Sequence, residues 1–134
     1  MACRAELVVD SSALVAILLG EPGSDELAVK LSSAWRPVIC AANWLEAMIV
    51  ASARLGPPGV QALDELLAAA DVQVIAADAE LTQTAFAAWQ RFGKGRHPAG
   101  LNFGDCFAYA AAMRRGEALL FRGLDFSQTD VLQA

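Results

Sequence analysis

The sequence predicts an α/β fold with a parallel sheet covered by helices on both faces. Two observations carry that reading: short apolar, β-rich runs recur along the chain, and segments with helical periodicity separate them. Glu6 to Asp10 (ELVVD) reads as a buried first strand, followed by a helix from Ser11 or Ser12 through Leu19 and a second from about Gly23 to Ser33. Pro37 to Ala41 (PVICA) is the second strand. Asn43 to Leu55 is a helix closed by Gly56 and the Pro57, Pro58 pair, since glycine suits a helix end and proline cannot continue one. Val60 to Ala70 is another helix, with Leu63, Leu66 and Leu67 on one side, and Val72 to Ala76 (VQVIA) is the third strand. Asp78 caps a helix from Ala79 to Phe92 that Gly93 ends. A loop of Gly, Lys, Arg and Pro leads to a helix headed by Asp105, Ala118 to Phe121 (ALLF) is the fourth strand, and a last short strand fits Asp130 to Leu132. In sheets of this kind the functional crevice lies at the carboxyl ends of the strands.

The chain has 134 residues, more than half of them apolar, which is enough for one domain over residues 1–134 with a proper core and excludes disorder. Asp10, Glu21 and Glu46 interrupt the greasiest segments, so no uncharged run approaches the ~18 apolar residues of a membrane helix. The N-terminus MACRAELVVD lacks a signal-peptide plan, and the expectation is a soluble, cytoplasmic protein. Cys3, Cys40 and Cys106 are widely spaced with no CxxC pair, which suggests free thiols and neither a disulfide framework nor a zinc site. A net charge of −5 argues against a general nucleic-acid coat protein. Basic character is nonetheless segregated: Arg91, Lys94, Arg96, Arg114, Arg115 and Arg122 lie in one stretch with only Asp105 and Glu117. That stretch is either a set of solvated helix ends and a polar loop or a surface facing a polyanion.

Four acids stand out by position. Asp10 ends the first strand where the chain turns into a helix, and as a single residue reads equally as an N-cap. Glu46 has Ile49, Val50, Ala53 and Ala42 around it on its helix, with only Asn43 polar, and a buried carboxylate without a partner is costly or gives up its charge. Asp105 has Ala108, Tyr109 and Ala112 along its stripe, and alone would serve as a cap that meets the positive helix end. Asp125 follows the fourth strand in the turn RGLDF, where an aspartate is ordinary. Together they converge on one edge of the sheet, where four carboxylates repel one another and require compensation. Oxygen-only ligands suit Mg²⁺ or Mn²⁺, and the single histidine and unpaired cysteines disfavour zinc or copper. The chemistry that follows is hydrolysis of a phosphodiester by a metal-activated water.

The segments VVDSSALVAILL, NWLEAMIVASARLG, GKGRHPAGLNFGDCFAYAAA and LLFRGLDFSQTD, in that order, resemble the PIN domain of VapC-type toxins, the ribonuclease halves of bacterial toxin-antitoxin pairs. The resemblance runs from about Leu7 to the C-terminus. It implies a PIN-like three-layer α/β/α sandwich with a central, mainly parallel sheet, and an endoribonuclease that depends on Mg²⁺ or Mn²⁺. Asp10, Glu46, Asp105 and Asp125 match the acidic quartet that binds metal and activates water. Ser12 matches a small hydroxyl residue that often supports the first acid, Ser11 stands where threonine is common, and Asp130 occupies a further acidic position at the periphery. A cognate VapB-type antitoxin is implied, with a homodimer of the toxin inside a larger complex. An antitoxin that places a guanidinium among the acids would compete with both metal and substrate.

His97, the only histidine, sits between Arg96 and Pro98; Lys94, Arg96 and His97 are candidates for phosphate contacts near the active edge, and none is needed as a general base. Trp35, Trp44, Trp89 and the phenylalanines fall at helical spacings or element ends, which favours core or dimer packing over base stacking. The alternative function is a catalytically idle PIN-like module that binds RNA or protein, which would require one of the four acids to be lost. A haloacid-dehalogenase-like phosphatase expects a second Asp where Ser12 stands. A phosphate-accepting receiver expects an Asp and a Lys where Ala76, Ala77 and Arg122 lie.

Overall fold

A computed structural model describes residues 6–134; Cys3, expected to be a free thiol, lies outside them. Strands β1 (Leu7–Val9), β2 (Val38–Cys40), β3 (Gln73–Ile75) and β4 (Ala118–Leu120) form one sheet in the order β3-β2-β1-β4, parallel throughout. Helices α1 (Ser11–Leu19) and α2 (Ser24–Ser33) join β1 to β2, α3 (Ala41–Leu55) and α4 (Pro57–Ala69) join β2 to β3, and α5 (Ala79–Phe92) and α6 (Phe103–Arg115) join β3 to β4. The expected α/β architecture is borne out.

The three layers follow from the period of two in a strand, which sends neighbouring side chains to opposite faces. Val8, Val38, Cys40 and Leu119 point to one face and pack with Leu81, Ala85 and Phe92 of α5 and the buried Phe107 to Ala112 run of α6. Leu7, Val9, Ile39 and Leu120 point to the other and pack with Leu14 of α1, Leu31 of α2, Ala47 and Ala51 of α3, and Leu63 and Leu67 of α4. Strands only three residues long therefore hold two cores, because nearly every strand side chain outside the β3 edge is buried.

From β1 the chain builds outward through β2 and β3, then returns to place β4 on the other side of β1. In sheets of this kind a functional crevice is expected at the carboxyl ends where the strand order reverses. Asp10 ends β1 at this point, and Asp125 follows β4 in a 3-10 turn over Asp125–Gln128.

Some boundaries differ from expectation. The helix α4 starts at Pro57, so the Pro57, Pro58 pair ends one helix and begins the next, which is possible because the first helical turn needs no N–H donor. The last strand expected at Asp130 to Leu132 does not form. Leu119 makes a single bridge to Gln133, with its N–H donating to the Leu132 carbonyl at 2.7 Å. The preceding residues spend their hydrogen bonds elsewhere: the Thr129 hydroxyl donates to the Phe126 carbonyl, and Asp130 turns its carboxylate toward α5 and α6. Among the described residues no helix is long and apolar enough to cross a membrane.

Candidate active site

Asp10 is 2 % exposed and caps α1, its Oδ2 accepting the Ser12 N–H at 3.0 Å while its own N–H donates to the Leu120 carbonyl at 2.9 Å. Its other oxygen, Oδ1, is buried with no hydrogen-bond partner. Burial pushes this carboxyl up to about 6 against the lowering effect of the Ser12 hydrogen bonds, and the charge of Glu46 adds to the rise.

Asp105 is held by a capping box, and the cap itself is Asn102. The Asn102 side chain accepts the Asp105 N–H at 2.9 Å, and Asp105 Oδ2 accepts the Asn102 N–H at 3.0 Å. Burial pushes Asp105 up to about 7; the Asn102 N–H opposes this, and the charges of Asp10, Asp125 and Glu46 add to it. The four acids thus share one electrostatic neighbourhood.

Glu46 is half-buried, and the expected apolar surroundings do not enclose it: Ile49 is 58 % exposed, and Leu45 beside it 54 %. Two contacts hold it instead. The Ser11 hydroxyl donates to Glu46 Oε1, and the carboxylate rests against Gly104 of α6, where an added Cβ would fall 2.5 Å from Oε2. Asn43, fully buried one turn earlier on α3, donates from Nδ2 to the Gly104 carbonyl at 2.9 Å and fixes α3 to α6 at the crevice. The sequence singled out Ser11 only as standing where threonine is common and gave no role to Asn43 or Gly104; the structure places all three in contacts that hold Glu46 or join α3 to α6. The signal for Asn43 was a polar residue amid apolar ones, and Asn102-x-x-Asp105 is itself a readable capping pattern.

Asp125 is exposed at the start of its 3-10 turn, anchored by the next residue, Phe126, whose ring packs on Phe121 at 5.0 Å. Ser12 borders the acids: its hydroxyl accepts the Arg122 N–H at 3.0 Å and so ties α1 to the end of β4. Asp130 is not brought to the other four; its carboxylate accepts from Tyr109 and Arg91.

The basic stretch is largely neutralised. Arg91 pairs with Asp130, Arg114 with Glu80, Arg115 with Glu117 and Arg122 with Glu21. Lys94 and Arg96 have no carboxylate partner among the described residues. Arg96 stacks over Trp89 at 4.9 Å, and Lys94 lines a groove between α5 and the start of α6 with Phe86, Trp89, Phe103 and Cys106. His97 shapes its own loop, its Nδ1 accepting the Ala99 N–H at 3.0 Å and its ring meeting Phe92 edge-on. Phe92, Phe107, Phe121 and Phe126 are core residues, whereas Phe86 and Phe103 are 58 % and 80 % exposed, which leaves the dimer half of the expected core or dimer packing for those two. Both described cysteines, Cys40 and Cys106, are free and buried; burial pushes the Cys106 thiol up to about 11, which leaves it inert at neutral pH.

Among the described residues no three His, Cys, Asp or Glu side chains are drawn together into a ready-made cage for a metal. A Mg²⁺ site does not need such a cage, since Mg²⁺ keeps several waters and takes one or two protein carboxylates. The donor set is all oxygen, and the orphaned Asp10 Oδ1 is the kind of buried atom a hard cation satisfies.

The PIN domain family model matches residues 7–132. The chain is 46 % identical over 125 residues to "Ribonuclease VapC" of Mycolicibacterium smegmatis, covering 93 % of this chain and 97 % of that one. It is 42 % identical over 125 residues to "Ribonuclease VapC30" of Mycobacterium tuberculosis, covering 93 % and 95 %. In fold it is similar to the Mycobacterium tuberculosis toxin VapC20, described as cleaving the sarcin-ricin loop, with a TM-score of 0.78 at 18 % identity over 96 % of this chain and 98 % of the other. A toxin-antitoxin complex from Klebsiella pneumoniae aligns with a TM-score of 0.69 at 17 % identity over 96 % of both chains. The chain belongs to the PIN-domain family of VapC ribonucleases.

Proposed function

We propose that this protein is an endoribonuclease, the toxin of a VapBC-type toxin-antitoxin pair, and that Asp10, Glu46, Asp105 and Asp125 form its divalent-metal site. The observation that carries the metal reading is Asp10 Oδ1, a carboxylate oxygen buried without a partner beside a second buried carboxyl, Asp105, raised to about 7. Isolated burial of charge on this scale is costly, and a cation offsets it. Relatives named as VapC ribonucleases support RNA as the substrate. Bound there, Mg²⁺ or Mn²⁺ would lower the pKa of a water and neutralise charge on the phosphorus.

The chain's own residues organise the rest. The capping box aims Asp105, Ser12 steadies Asp10, and Ser11 with Gly104 sets Glu46. Lys94 and Arg96, free of carboxylate partners among the described residues, hold the phosphate backbone beside the acidic edge. His97 is placed with them in the loop but contributes by shaping it. Complexes of similar fold that pair toxin with antitoxin support a VapB-type partner, and the exposed Leu45, Ile49, Phe86 and Phe103 support self-association as a homodimer.

The test is incubation of the purified protein with cellular RNA in Mg²⁺ or Mn²⁺, with and without EDTA. Cleavage that requires the cation and stops on chelation is expected. EDTA-resistant cleavage removes the metal reading, and a complete lack of cleavage in every metal favours the idle binding module.

A further inference from the structure

Asp125 is the most exposed of the four acids, and its placement depends on how the segment carrying it is tied down. At one end, Phe126 is buried against Phe121. At the other, Asp130 accepts the Tyr109 hydroxyl at Oδ1 and Arg91 Nη1 at Oδ2, the latter at 3.1 Å. Tyr109 is 6 % exposed, lies one turn beyond Asp105 on α6, and packs its ring against Phe92 at 5.5 Å. The Arg91 guanidinium sits over the same Phe92 ring at 4.6 Å. Both Asp130 oxygens are thereby engaged by α5 and α6, which leaves neither for the crevice.

The geometry points to a clasp of Tyr109, Asp130 and Arg91 that positions Asp125 relative to Asp105, a role that rests on the proposed nuclease reading. Asp105 and Tyr109 share one stripe of α6, so a shift of the tail along that helix changes the spacing of the two site carboxylates. The Arg91 pair is largely solvent-exposed and contributes little by itself. The Tyr109 hydroxyl is the firmer half, because a buried hydroxyl that loses its partner cannot simply turn to water. Burial pushes that hydroxyl up to about 12, and its hydrogen bond holds Asp130 below the usual carboxylate range, so the pair keeps one protonation state at neutral pH.

Four proteins test this: wild type, Tyr109→Phe, Asp130→Ala and Asp130→Asn, the last retaining an acceptor oxygen for Tyr109. Amide hydrogen exchange of the metal-free proteins is read beside steady-state RNA cleavage in saturating Mn²⁺. Tyr109→Phe and Asp130→Ala are expected to exchange the amides of residues 125–130 about tenfold faster, with α6 unchanged, and to lower kcat about tenfold with KM for RNA unmoved. Asp130→Asn is expected to stay within about threefold of wild type in both. Wild-type exchange in Tyr109→Phe overturns the clasp, as does loosening spread equally over α6. Damage in Asp130→Asn equal to that in Asp130→Ala also overturns it, by making charge the working feature. A wild type that cleaves no RNA defeats the nuclease reading instead, and the exchange comparison still decides whether the clasp exists.

Discussion

Asp105→Asn lowers RNA cleavage by roughly a hundredfold or more and leaves the metal-free protein at least as stable as wild type. Asparagine keeps an acceptor for the Asn102 N–H, so the capping box survives, but the charge that the proposed metal site requires is gone. The stability change has a definite sign. Asp105 rises from 3.8 to about 7 on folding, so below pH 4 both folded and unfolded chains hold the proton and the group contributes nothing. Between about pH 4 and pH 7 the folded state keeps a proton that the unfolded state has released, and stability falls as pH rises. Above pH 7 the full penalty remains, on the order of a few kcal/mol. Asp10, raised to about 6, acts in the same direction over a narrower window. Thermal melts in EDTA are therefore expected to show the variant gaining on wild type from pH 4 to pH 7 and holding that gain at pH 8. An advantage that shrinks with pH would mean that Asp105 is stabilised as an anion by the protein itself.

Gly104→Ala separates site geometry from stability. A Cβ there falls 2.5 Å and 2.7 Å from the two Glu46 carboxylate oxygens, so the side chain has to swing aside. Glu46 is a flexible side chain on a half-buried position, which makes the swing cheap for the fold. Alanine in a helix is in fact favoured over glycine by about 0.5–1 kcal/mol. Activity and Mn²⁺ affinity are expected to drop at least about tenfold while the melting temperature holds or rises. A variant that loses stability in proportion to activity would show that Gly104 serves packing, and full activity would remove Glu46 from the site.

The layered fold was legible because its signals are local. Runs such as LVV and ALLF are apolar throughout, as strands buried on both faces must be, and Asp78 and Gly93 punctuate α5 as a cap and a stop. The site was legible as a set of acids at strand and helix ends. The contacts that hold Glu46 and join α3 to α6 were not, because they act across the chain: Ser11 reaches Glu46 over 35 positions and Asn43 reaches Gly104 over 61. The apolar neighbours of Glu46 misled in the same way, since helical spacing identifies a stripe without saying whether it faces the core, and here Ile49 faces water. Among the described residues the basic stretch kept only Lys94 and Arg96 as unpaired cations once Asp130, Glu80, Glu117 and Glu21 paired with the rest.

Direct binding of Mn²⁺ by calorimetry, comparing the metal-free wild type with an Asp10→Asn/Asp105→Asn double variant at pH 7.5, tests the acidic site most directly. Saturable binding by wild type and none by the double variant is expected, because both carboxylates are buried and Asp10 Oδ1 has no hydrogen-bond partner among the described residues. Equal affinity in both proteins would contradict a metal centre at Asp10 and Asp105.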